Sequence, residues 1–513
     1  MVNTFLELKK MFAHSLLSLL IWLPMLGGAF ALAAGEQHPQ RARIIALFTS
    51  LLCLALCVPL YVGFVPTTSA MQFQQIIPWI SAYGINYAVG VDGISLPLII
   101  LTCFTTLLVI MAAWHSIHSR VSQYMAAFLI MQGMMVGTFA ALDSILFYAF
   151  WEGMLIPMYL SIGIWGGSNR SYASIKFFLY TFFGSALMFI ALLYLRTHAD
   201  SFMITDFYPL KLTMREQTWI FLAFLLGFAV KLPMWPVHTW LPDAHTEAPA
   251  GGSVVLAALM LKMGAYGFLR FSLPITPDAS KALDWLMIGL ALIAIVYIAL
   301  VALAQTDMKK LIAYSSISHM GFVALGCFMV FRIVEHTHKL TDAYMSLEGA
   351  MVQMISHALS TGAMFLAVGV LVHRLHSRQI KDFGGIATTM PFCAAFFMLF
   401  CMSNVGLPGT SGFVGEFMII LSAIQTNFWI TAVAATTLVL AAAYTLFMYK
   451  RVFFGAITNP AIETIKDVTG MEKMVFVLLG VAIIFLGVYP QPLLTLQHAT
   501  VGHLLQLSLQ SKL

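Results

Sequence analysis

The chain has 513 residues, of which 60% are hydrophobic and only 9% are Asp, Glu, Lys or Arg, with a mean hydropathy of +0.90. Soluble domains contain about 25% charged residues, so this composition cannot cover a water-exposed surface. The net charge of +5 includes no dense basic run, which argues against nucleic acid as a partner. The composition therefore predicts a polytopic protein embedded in a lipid bilayer.

The sequence offers no recognisable motif for binding a nucleotide or a metal. It contains neither a GxxxxGK[ST] phosphate loop nor a strand–GxGxxG–helix unit. The six cysteines lie inside apolar runs and form no CxxC pair or Cys/His ligand set. This argues against a disulfide framework and against an iron–sulfur cluster. We therefore expect no cofactor in this chain, and an energy source that lies elsewhere.

Apolar runs bounded by charges, proline and glycine indicate about fourteen transmembrane helices, since each bilayer crossing takes roughly 20 apolar residues. The predicted spans lie near residues 14–34, 44–64, 93–114, 121–141, 144–164, 172–195, 218–238, 251–270, 284–304, 311–331, 348–372, 391–424, 428–449 and 474–495. The fold class is thus all-α. Of the 26 Lys and Arg, the larger share lies in loops on the side of the membrane opposite to the two chain ends. Because basic residues are more frequent in cytoplasmic loops, both chain ends are expected outside the cytoplasm.

Six titratable side chains lie deep inside these spans, where a charge costs at least about 2.5–3.5 kcal/mol and needs a reason. They are Glu152, Lys231, Lys262, His319, His357 and Glu416. Burial moves the proton affinity of a carboxyl or an amine towards the working pH, a nearby opposite charge reverses that change, and histidine titrates near neutrality without help. Their succession along the chain predicts a proton relay that lies along the plane of the bilayer.

A purely structural interpretation stays open for each of these residues. Two acids and two lysines balance, and Glu152 with Lys231 can form one static ion pair. Ordinary hydrogen-bonded histidines at positions 319 and 357 are as compatible with the sequence as relay groups. Six such residues on different helices of one chain nevertheless favour proton transfer over a structural role.

Two predicted spans are interrupted by proline and glycine. The seventh contains KLPMWP at residues 231–236, and the twelfth contains SNVGLPGTSG at residues 403–412. Proline inside a helix removes a backbone hydrogen bond, and opened backbone is tolerated in a membrane only beside protein or a water-filled cavity. Each interruption adjoins a titratable residue, Lys231 in the first case and Glu416 in the second.

The two interruptions occupy equivalent positions, because each lies in the fourth helix of a set of five. Paired interrupted helices of this kind are typical of inverted transporter repeats. The expected organisation is a three-helix segment at residues 1–120, a first five-helix unit at 121–272, a second, inverted unit at 283–455 and a C-terminal helix within 456–513. The two units show no clear residue-level identity, so the predicted repeat rests on the pattern.

Three long motifs resemble signatures of the antiporter-like subunits of respiratory complex I. They read VKLPMWPVHTWLPDAHTEAP at residues 230–249, AQTDMKKLIAYSSISHMG at 304–321 and GLPGTSGF at 406–413. The resemblance covers essentially the whole chain, and Mrp-type cation/proton antiporters share this core. Two features favour one branch of the family: Glu416, where the other branches typically have lysine, and a chain end just after the last span, without the long lateral helix of another branch.

The resemblance implies a role for each of the six residues. In the order of the family's relay they match a coupled Glu–Lys pair (Glu152 and Lys231), the central lysine (Lys262), two bordering polar groups (His319 and His357) and the terminal acid (Glu416). The resemblance also implies that NADH, FMN, iron–sulfur clusters and quinone bind to other subunits. The partners it implies for this chain are other membrane subunits, the lipid bilayer and protons.

The sequence thus predicts a non-redox, proton-pumping membrane subunit of an NADH–quinone oxidoreductase in the bacterial inner membrane. Quinone reduction in other subunits would rearrange the Glu–Lys pair and drive protons along the relay. One alternative is a subunit of a multi-subunit, Mrp-type sodium/proton antiporter, which would use ion gradients without a redox step. The other alternative is a scaffolding subunit whose buried charges only hold a membrane assembly together.

Overall fold

Helices form most of the protein in the computed structural model, which describes residues 2–457 and 459–513, with side chains from residue 15 onward. Within the described residues, eleven helices are long and apolar enough to cross a membrane. Two shorter apolar helices, Pro391–Val405 and Ser411–Ala423, lie between the ninth and tenth of them. The prediction of a mostly helical, polytopic membrane protein is confirmed.

The N-terminal region consists of four helices and a β-hairpin. The helices are α1 (Val2–Ala33), α2 (Pro39–Gly63), α3 (Ser95–Ser116) and α4 (Val121–Ala140). Between α2 and α3, β1 (Gln72–Ile80) pairs antiparallel with β2 (Ile85–Val91) around the 3₁₀ turn Ser81–Tyr83. The hydropathy pattern did not indicate this hairpin, because strands of nine and seven residues are too short to register as helical spans.

The next part of the chain includes the first interruption. Its helices are α5 (Ser144–Gly153), α6 (Leu155–Trp165), α7 (Arg170–Arg196), α8 (Met214–Lys231) and α9 (Trp240–Glu247), with a 3₁₀ turn at Ile204–Phe207. A long helix follows, composed of α10 (Ala250–Val255), α11 (Leu261–Gly267) and α12 (Leu273–Ile275), which π-helical turns join at Leu256–Met260 and Phe268–Ser272. This long helix is buried from residue 251 to 275, so it forms the centre of the molecule.

The C-terminal half includes the second interruption and ends in two helices. Its helices are α13 (Pro277–Ala282), α14 (Asp284–Leu303), α15 (Met308–Thr337), α16 (Leu340–Leu375), α17 (Ile386–Thr389), α18 (Pro391–Val405), α19 (Ser411–Ala423), α20 (Phe428–Ala435), α21 (Thr437–Phe453), α22 (Gly470–Val488) and α23 (Gln491–Leu509). Single 3₁₀ turns lie at Ile380–Asp382 and Pro460–Thr464. Helix α23 was not among the predicted spans.

Side-chain caps fix the starts of several helices, among them the three that contain Glu152, Lys231 and His319. Asp143 accepts hydrogen bonds from two backbone amides in the first turn of α5, and Asp307 does the same for α15. Thr213 and Glu216 form a capping box at the start of α8. Caps of this kind stabilise a helix by about 1 kcal/mol each. They help to set the depth at which the titratable residues further along each helix lie.

The connecting segments form two faces of the helical assembly. On one face, Arg378 forms ion pairs of 3.0 Å with Glu247 and 2.8 Å with Asp307, which joins the end of α9 to the start of α15. The other face contains the hairpin, α13 and α23, and we call it the C-terminal face. Helices α15 and α16 extend between the two faces and place their central residues far from both, whereas α8 ends in the interior at Lys231.

Helix α23 lies on the C-terminal face and bridges distant parts of the chain. The amide of Gly93, in the loop before α3, donates to Thr500 Oγ1 at 3.0 Å. His498 contacts Glu348 of α16 at 2.6 Å. After α23, Lys512 Nζ donates to the carbonyl of Pro274 at 2.6 Å, at the end of α12. The C-terminal segment therefore holds together the ends of helices that belong to both halves of the chain.

Replacing Gly93 by alanine is expected to weaken the docking of α23. A Cβ at this position would lie 2.1 Å from the carbonyl oxygen of Leu496 and 2.9 Å from the Cα of Gln497. The backbone must therefore move, and overpacking of this kind costs about 1–3 kcal/mol. We expect a lower melting temperature than in Gly289→Ala, a matched control whose Cβ meets nothing within 4 Å. Equal melting temperatures in a thermal-shift assay would contradict this account of the docking.

Candidate functional site

The first interruption ends α8 directly at Lys231, and α9 begins only at Trp240. The indole Nε1 of Trp240 donates to the carbonyl of Val230 at 2.9 Å. This bond satisfies an acceptor that the interruption would otherwise leave unpaired in the protein interior. The interruption thus places a helix end inside the protein, and the Lys231 side chain is only 2% exposed.

The ammonium group of Lys231 lies against Trp151. Its Nζ donates to the carbonyl of Trp151 at 3.2 Å and lies 3.7 Å from the centre of the indole ring. Glu152 is the next residue along the chain, and its charge acts on Lys231. Within the described part of the chain the two side chains form no direct ion pair, and Oε1 of Glu152 is buried without a hydrogen-bond partner. The predicted Glu–Lys pair is therefore close but separated.

Lys262 occupies the middle of the buried long helix, just after its first π-helical turn. Its Nζ donates to the carbonyl of Ala257, which belongs to that turn, at 2.6 Å. The same Nζ lies 2.6 Å from Nδ1 of His357 on α16. Helical turns of the π type occur frequently at functional sites, because they redirect side chains and carbonyl groups. The local irregularity thus supplies one partner of the lysine, and the packing of α16 supplies the other.

The two predicted histidines and the predicted glutamate lie next to one another. The rings of His357 and His319 have centroids 5.9 Å apart. Nδ1 of His319 lies 2.6 Å from Oε1 of Glu416. Gln353 of α16 donates through Nε2 to the same oxygen at 2.8 Å. Glu416, on α19, is 2% exposed, so its carboxylate depends on these two side chains for hydrogen bonds.

The second interruption separates α18 from α19 and faces Glu416. Gly406 and Gly409 have φ angles of 81° and 89°, a left-handed conformation that favours glycine. A Cβ at Gly406 would lie 3.4 Å from Oε2 of Glu416. A Cβ at Gly412 would lie 1.9 Å from the carbonyl oxygen of Ser403, so the two helix ends approach closely. The glycines therefore shape the backbone that encloses the carboxylate.

The structure adds polar residues that the sequence analysis missed. Tyr444 of α21 contacts Ser315 Oγ at 2.9 Å and lies 3.4 Å from Nε2 of His319. Asn404, beside the second interruption, donates to Ser315 Oγ at 3.1 Å. A tyrosine in an apolar run usually indicates an ordinary packing residue. The sequence therefore contains no signal that would have singled out Tyr444. These groups complete the hydrogen bonding around His319.

His245 is a further buried histidine that was not predicted. It belongs to α9, is 0% exposed, and has no hydrogen-bond partner at either ring nitrogen in the described residues. Its ring stacks on Phe365 with the centroids 4.6 Å apart. The charges of Lys309 and Lys262 both act on it, so it lies between the start of α15 and the site. The signal was present, because His245 falls within the quoted motif at residues 230–249.

The six predicted residues form two groups that touch through the backbone. One group contains Lys231 and Glu152, and the other extends from Lys262 to Glu416. A Cβ at Gly264, in the helix of Lys262, would lie 2.6 Å from the backbone nitrogen of Leu232. The end of α8 therefore packs directly on the helix of Lys262, and only glycine permits this approach. A movement of one helix must change the position of the other.

The site has the chemistry of acids and bases. Among the described residues no cluster of three or more His, Cys, Asp or Glu is arranged to hold a metal ion. The six cysteines are free and buried. Amine, imidazole and carboxylate groups at hydrogen-bond distance can pass protons from one to the next. The arrangement can thus hold and move protons through a region from which lipid excludes charge.

The comparisons with known proteins identify the family. The family model described as NADH:quinone oxidoreductase/Mrp antiporter, TM, matches residues 141–441. The model described as NADH-ubiquinone oxidoreductase chain 4, amino terminus, matches residues 42–140. NADH-quinone oxidoreductase subunit M of Rhodobacter capsulatus is 46% identical, over 96% of this chain and 97% of that protein. The chain belongs to the NADH-quinone oxidoreductase subunit M family.

Other members of the subunit M family and solved structures agree with this assignment. NADH-ubiquinone oxidoreductase chain 4 of Marchantia polymorpha is 39% identical, over 96% of this chain and 97% of that protein. A chain of respiratory complex I from Thermus thermophilus with bound NADH has a TM-score of 0.86 at 29% identity, covering 96% of this chain and 99% of that chain. A chain of the Mrp complex from Dietzia sp. DQ12-45-1b has a TM-score of 0.80 at 20% identity, covering 96% of this chain and 52% of that chain. This last likeness concerns the fold alone.

Proposed function

We propose that the protein is a proton-translocating membrane subunit of NADH–quinone oxidoreductase. The observation that supports this is the buried succession of Lys262, His357, His319 and Glu416, whose first and last contacts are both 2.6 Å long. Each of these groups gains and loses a proton readily, so the succession suits proton transfer. The relatives are named NADH-quinone oxidoreductase subunit M and NADH-ubiquinone oxidoreductase chain 4, which indicates the reaction.

In this proposal Glu152 and Lys231 act as the switch at the input end. Bringing the carboxylate to the ammonium group would neutralise Lys231, and the rearrangement would reach Lys262 through the packing of α8 on the helix of Lys262. Two unit charges about 4 Å apart interact by about 4 kcal/mol at an effective dielectric constant near 20. Moving one proton against roughly 100 mV costs about 2.3 kcal/mol. The free energy of one such pairing is therefore comparable to the cost of moving one proton.

The output half of the relay runs from Lys262 to Glu416. Lys262 would pass its proton to His357, with which it is already in contact. The ring centroids of His357 and His319 are 5.9 Å apart, so the next transfer needs a small ring movement or a bridging water molecule. Glu416 would receive the proton from His319 and release it beside the second interruption.

The same proposal assigns one interruption to each of two five-helix units, at residues 121–272 and 283–455, with the second unit inverted relative to the first. Lys231 and Glu416 would then be equivalent groups of the two units. The contact between Lys262 and His357 would be the junction, since each residue belongs to a different unit. Residues 1–120 and 456–513 would flank the pair of units.

The names of the relatives support an assembly, and the distribution of Lys and Arg supports its orientation. We infer that the subunit assembles with other membrane subunits of the oxidoreductase in the bacterial inner membrane, with the C-terminal face away from the cytoplasm. NADH, FMN, iron–sulfur clusters and quinone would bind to those other subunits. This chain would then contribute no redox step, and its share of the catalysis would be the movement of protons.

A sodium/proton antiporter subunit of the Mrp type is the weaker candidate. Its support is a shared fold at 20% identity, against 46% identity to a subunit M. The two functions separate on deletion of the gene. We expect NADH-driven proton pumping in membrane vesicles to be lost and sodium tolerance to be kept. Unchanged pumping with lost sodium tolerance would favour the antiporter.

Replacing Glu416 by glutamine should abolish most of the coupled activity while the complex still assembles. Glutamine keeps the shape and can accept the hydrogen bond from Gln353, but it cannot titrate. We expect NADH–quinone turnover and proton pumping to fall at least tenfold, measured in vesicles and normalised to assembled complex on a native gel. Glu416→Asp should retain part of the activity, because the acid remains one methylene further back.

The matched control is Glu335→Gln. Glu335 forms an exposed ion pair with Lys281 at 3.1 Å and lies outside the relay. We expect wild-type pumping in this variant. Wild-type pumping in Glu416→Gln would show that the relay does not depend on this carboxylate. Loss of assembly in both Glu416→Gln and Lys231→Ala would instead favour a scaffolding role.

Replacing Gly264 by alanine should weaken the connection between the two groups of the relay. The new Cβ would meet the backbone nitrogen of Leu232 at 2.6 Å and the carbonyl oxygen of Phe228 at 2.7 Å, so α8 must shift. We expect proton pumping per assembled complex to fall several-fold. Gly163→Ala serves as the control, because its closest neighbour would be 3.7 Å away. Unchanged pumping in Gly264→Ala would mean that the contact does not transmit the switch.

A further inference from the structure

A cavity of about 620 Å³ opens on the C-terminal face, outside the relay described above. It lies between the loop before α3, the end of the long helix and α23. Its polar lining includes Asp92, Tyr208, Arg270, His503 and Lys512. The cavity is large enough to hold many water molecules, and the proposed relay does not use it.

The inner wall of this cavity is a buried ion pair. Arg270 contacts Asp92 at 2.7 Å, with side-chain exposures of 8% and 1%. Asp92 also caps α3, because its Oδ1 accepts hydrogen bonds from the amides of Ile94 and Ser95 at 3.1 and 3.0 Å. The aspartate is therefore fixed by the helix start, and it holds the guanidinium group at the bottom of the cavity.

Tyr266 joins this ion pair to the part of the long helix that contains Lys262. Nε of Arg270 donates to the hydroxyl of Tyr266 at 3.2 Å, so the guanidinium group lies between Asp92 and Tyr266. Tyr266 is four residues after Lys262 on the same buried helix, and residues with this spacing share one helix face. The hydroxyl of Tyr266 in turn donates to the carbonyl of Phe139 at 3.0 Å. Without Arg270, water that entered from the cavity as far as Tyr266 would lie about one helical turn from Lys262.

The properties of arginine suit it to close this path. A guanidinium group stays protonated in proteins and has no acceptor atom, so it can neither bind nor relay a further proton. Its permanent charge also repels cations, and arginine excludes protons in this way in membrane channels. A proton that reaches Asp92 from the cavity would meet this charge before it met Tyr266.

We propose that Arg270 is an electrostatic barrier that prevents protons in the cavity on the C-terminal face from exchanging with Lys262. The barrier deepens the proposed function, on which it rests, because a pump loses its gradient if the accumulated protons return through its central lysine. Asp92 positions the guanidinium group from one side, so the positive end of the pair faces Tyr266. The ion pair of Arg270 and Asp92 thus separates the relay from the C-terminal face, on which the cavity opens.

The test removes the charge without leaving an unpaired acid. The variant is Asp92→Asn/Arg270→Gln, since removing the arginine alone would leave a buried carboxylate uncompensated. Asparagine still caps α3. The readout is passive proton permeability of vesicles containing the assembled complex, without NADH, followed with a pH-sensitive dye after an acid jump. We expect proton entry at least fivefold faster than in wild type. Asp92→Asn/Arg270→Ser, which leaves more room for water, should leak at least as fast.

The matched control is Asp284→Asn/Arg332→Gln. These residues form an ion pair of 2.8 Å on the same face, outside the lining of the large cavity. We expect no leak in this variant. An equal leak in the control pair would overturn the proposal, because the permeability would then reflect general damage. The absence of a leak in both Asp92/Arg270 variants would overturn it as well.

A third change tests the path itself. Adding Lys262→Ala to the leaking variant should restore a low permeability, since the proposed path passes through the lysine. A leak that persists without Lys262 would overturn the proposal. Lys262→Ala alone tests the proposed function separately, through NADH-driven pumping. If pumping needs Lys262 but the Asp92/Arg270 variants stay tight, the barrier is wrong and the relay stands.

Discussion

The structure depends on one constraint, which is that an ionisable side chain inside a membrane protein must find polar partners within the protein itself. An unpaired charge in hydrocarbon costs several kcal/mol. The partners here come from other helices: His357 for Lys262, and His319 with Gln353 for Glu416. The packing of α16 against the central helix and α19 is therefore also the means by which the charges are tolerated.

Irregular backbone also provides polar partners for these ionisable side chains. The interruption after Lys231 and the π-helical turn before Lys262 each direct a carbonyl group or a helix end towards a titratable side chain. The second interruption does so for Glu416 through Gly406. Backbone groups that lose their helical hydrogen bonds at an interruption find other partners nearby. The carbonyl of Val230, for example, accepts a hydrogen bond from the indole of Trp240. Regular helices alone would not offer these groups inside the bilayer.

Two kinds of charged contact can be distinguished by their partners. The relay groups face one another through short neutral or ionisable contacts, and some of their atoms, such as Oε1 of Glu152, have no partner among the described residues. The pairs near the faces, such as Arg270 with Asp92 and Arg378 with Asp307, use arginine. Because arginine does not release its proton, these pairs are suited to holding structure and blocking passage rather than to transfer.

The sequence by itself determined the membrane fold, the two interruptions and the six titratable residues, because hydropathy, proline and buried charge are local properties of the chain. It also contained His245 within a recognised motif. Only the tertiary structure decided which residues meet: Lys231 lies on Trp151 rather than on Glu152, and Tyr444 joins His319. Contacts between residues as far apart as His319 and Glu416 depend on how helices pack, which no local pattern specifies. The hairpin was missed because its two strands are too short to register as helical spans, and α23 was not among the predicted spans.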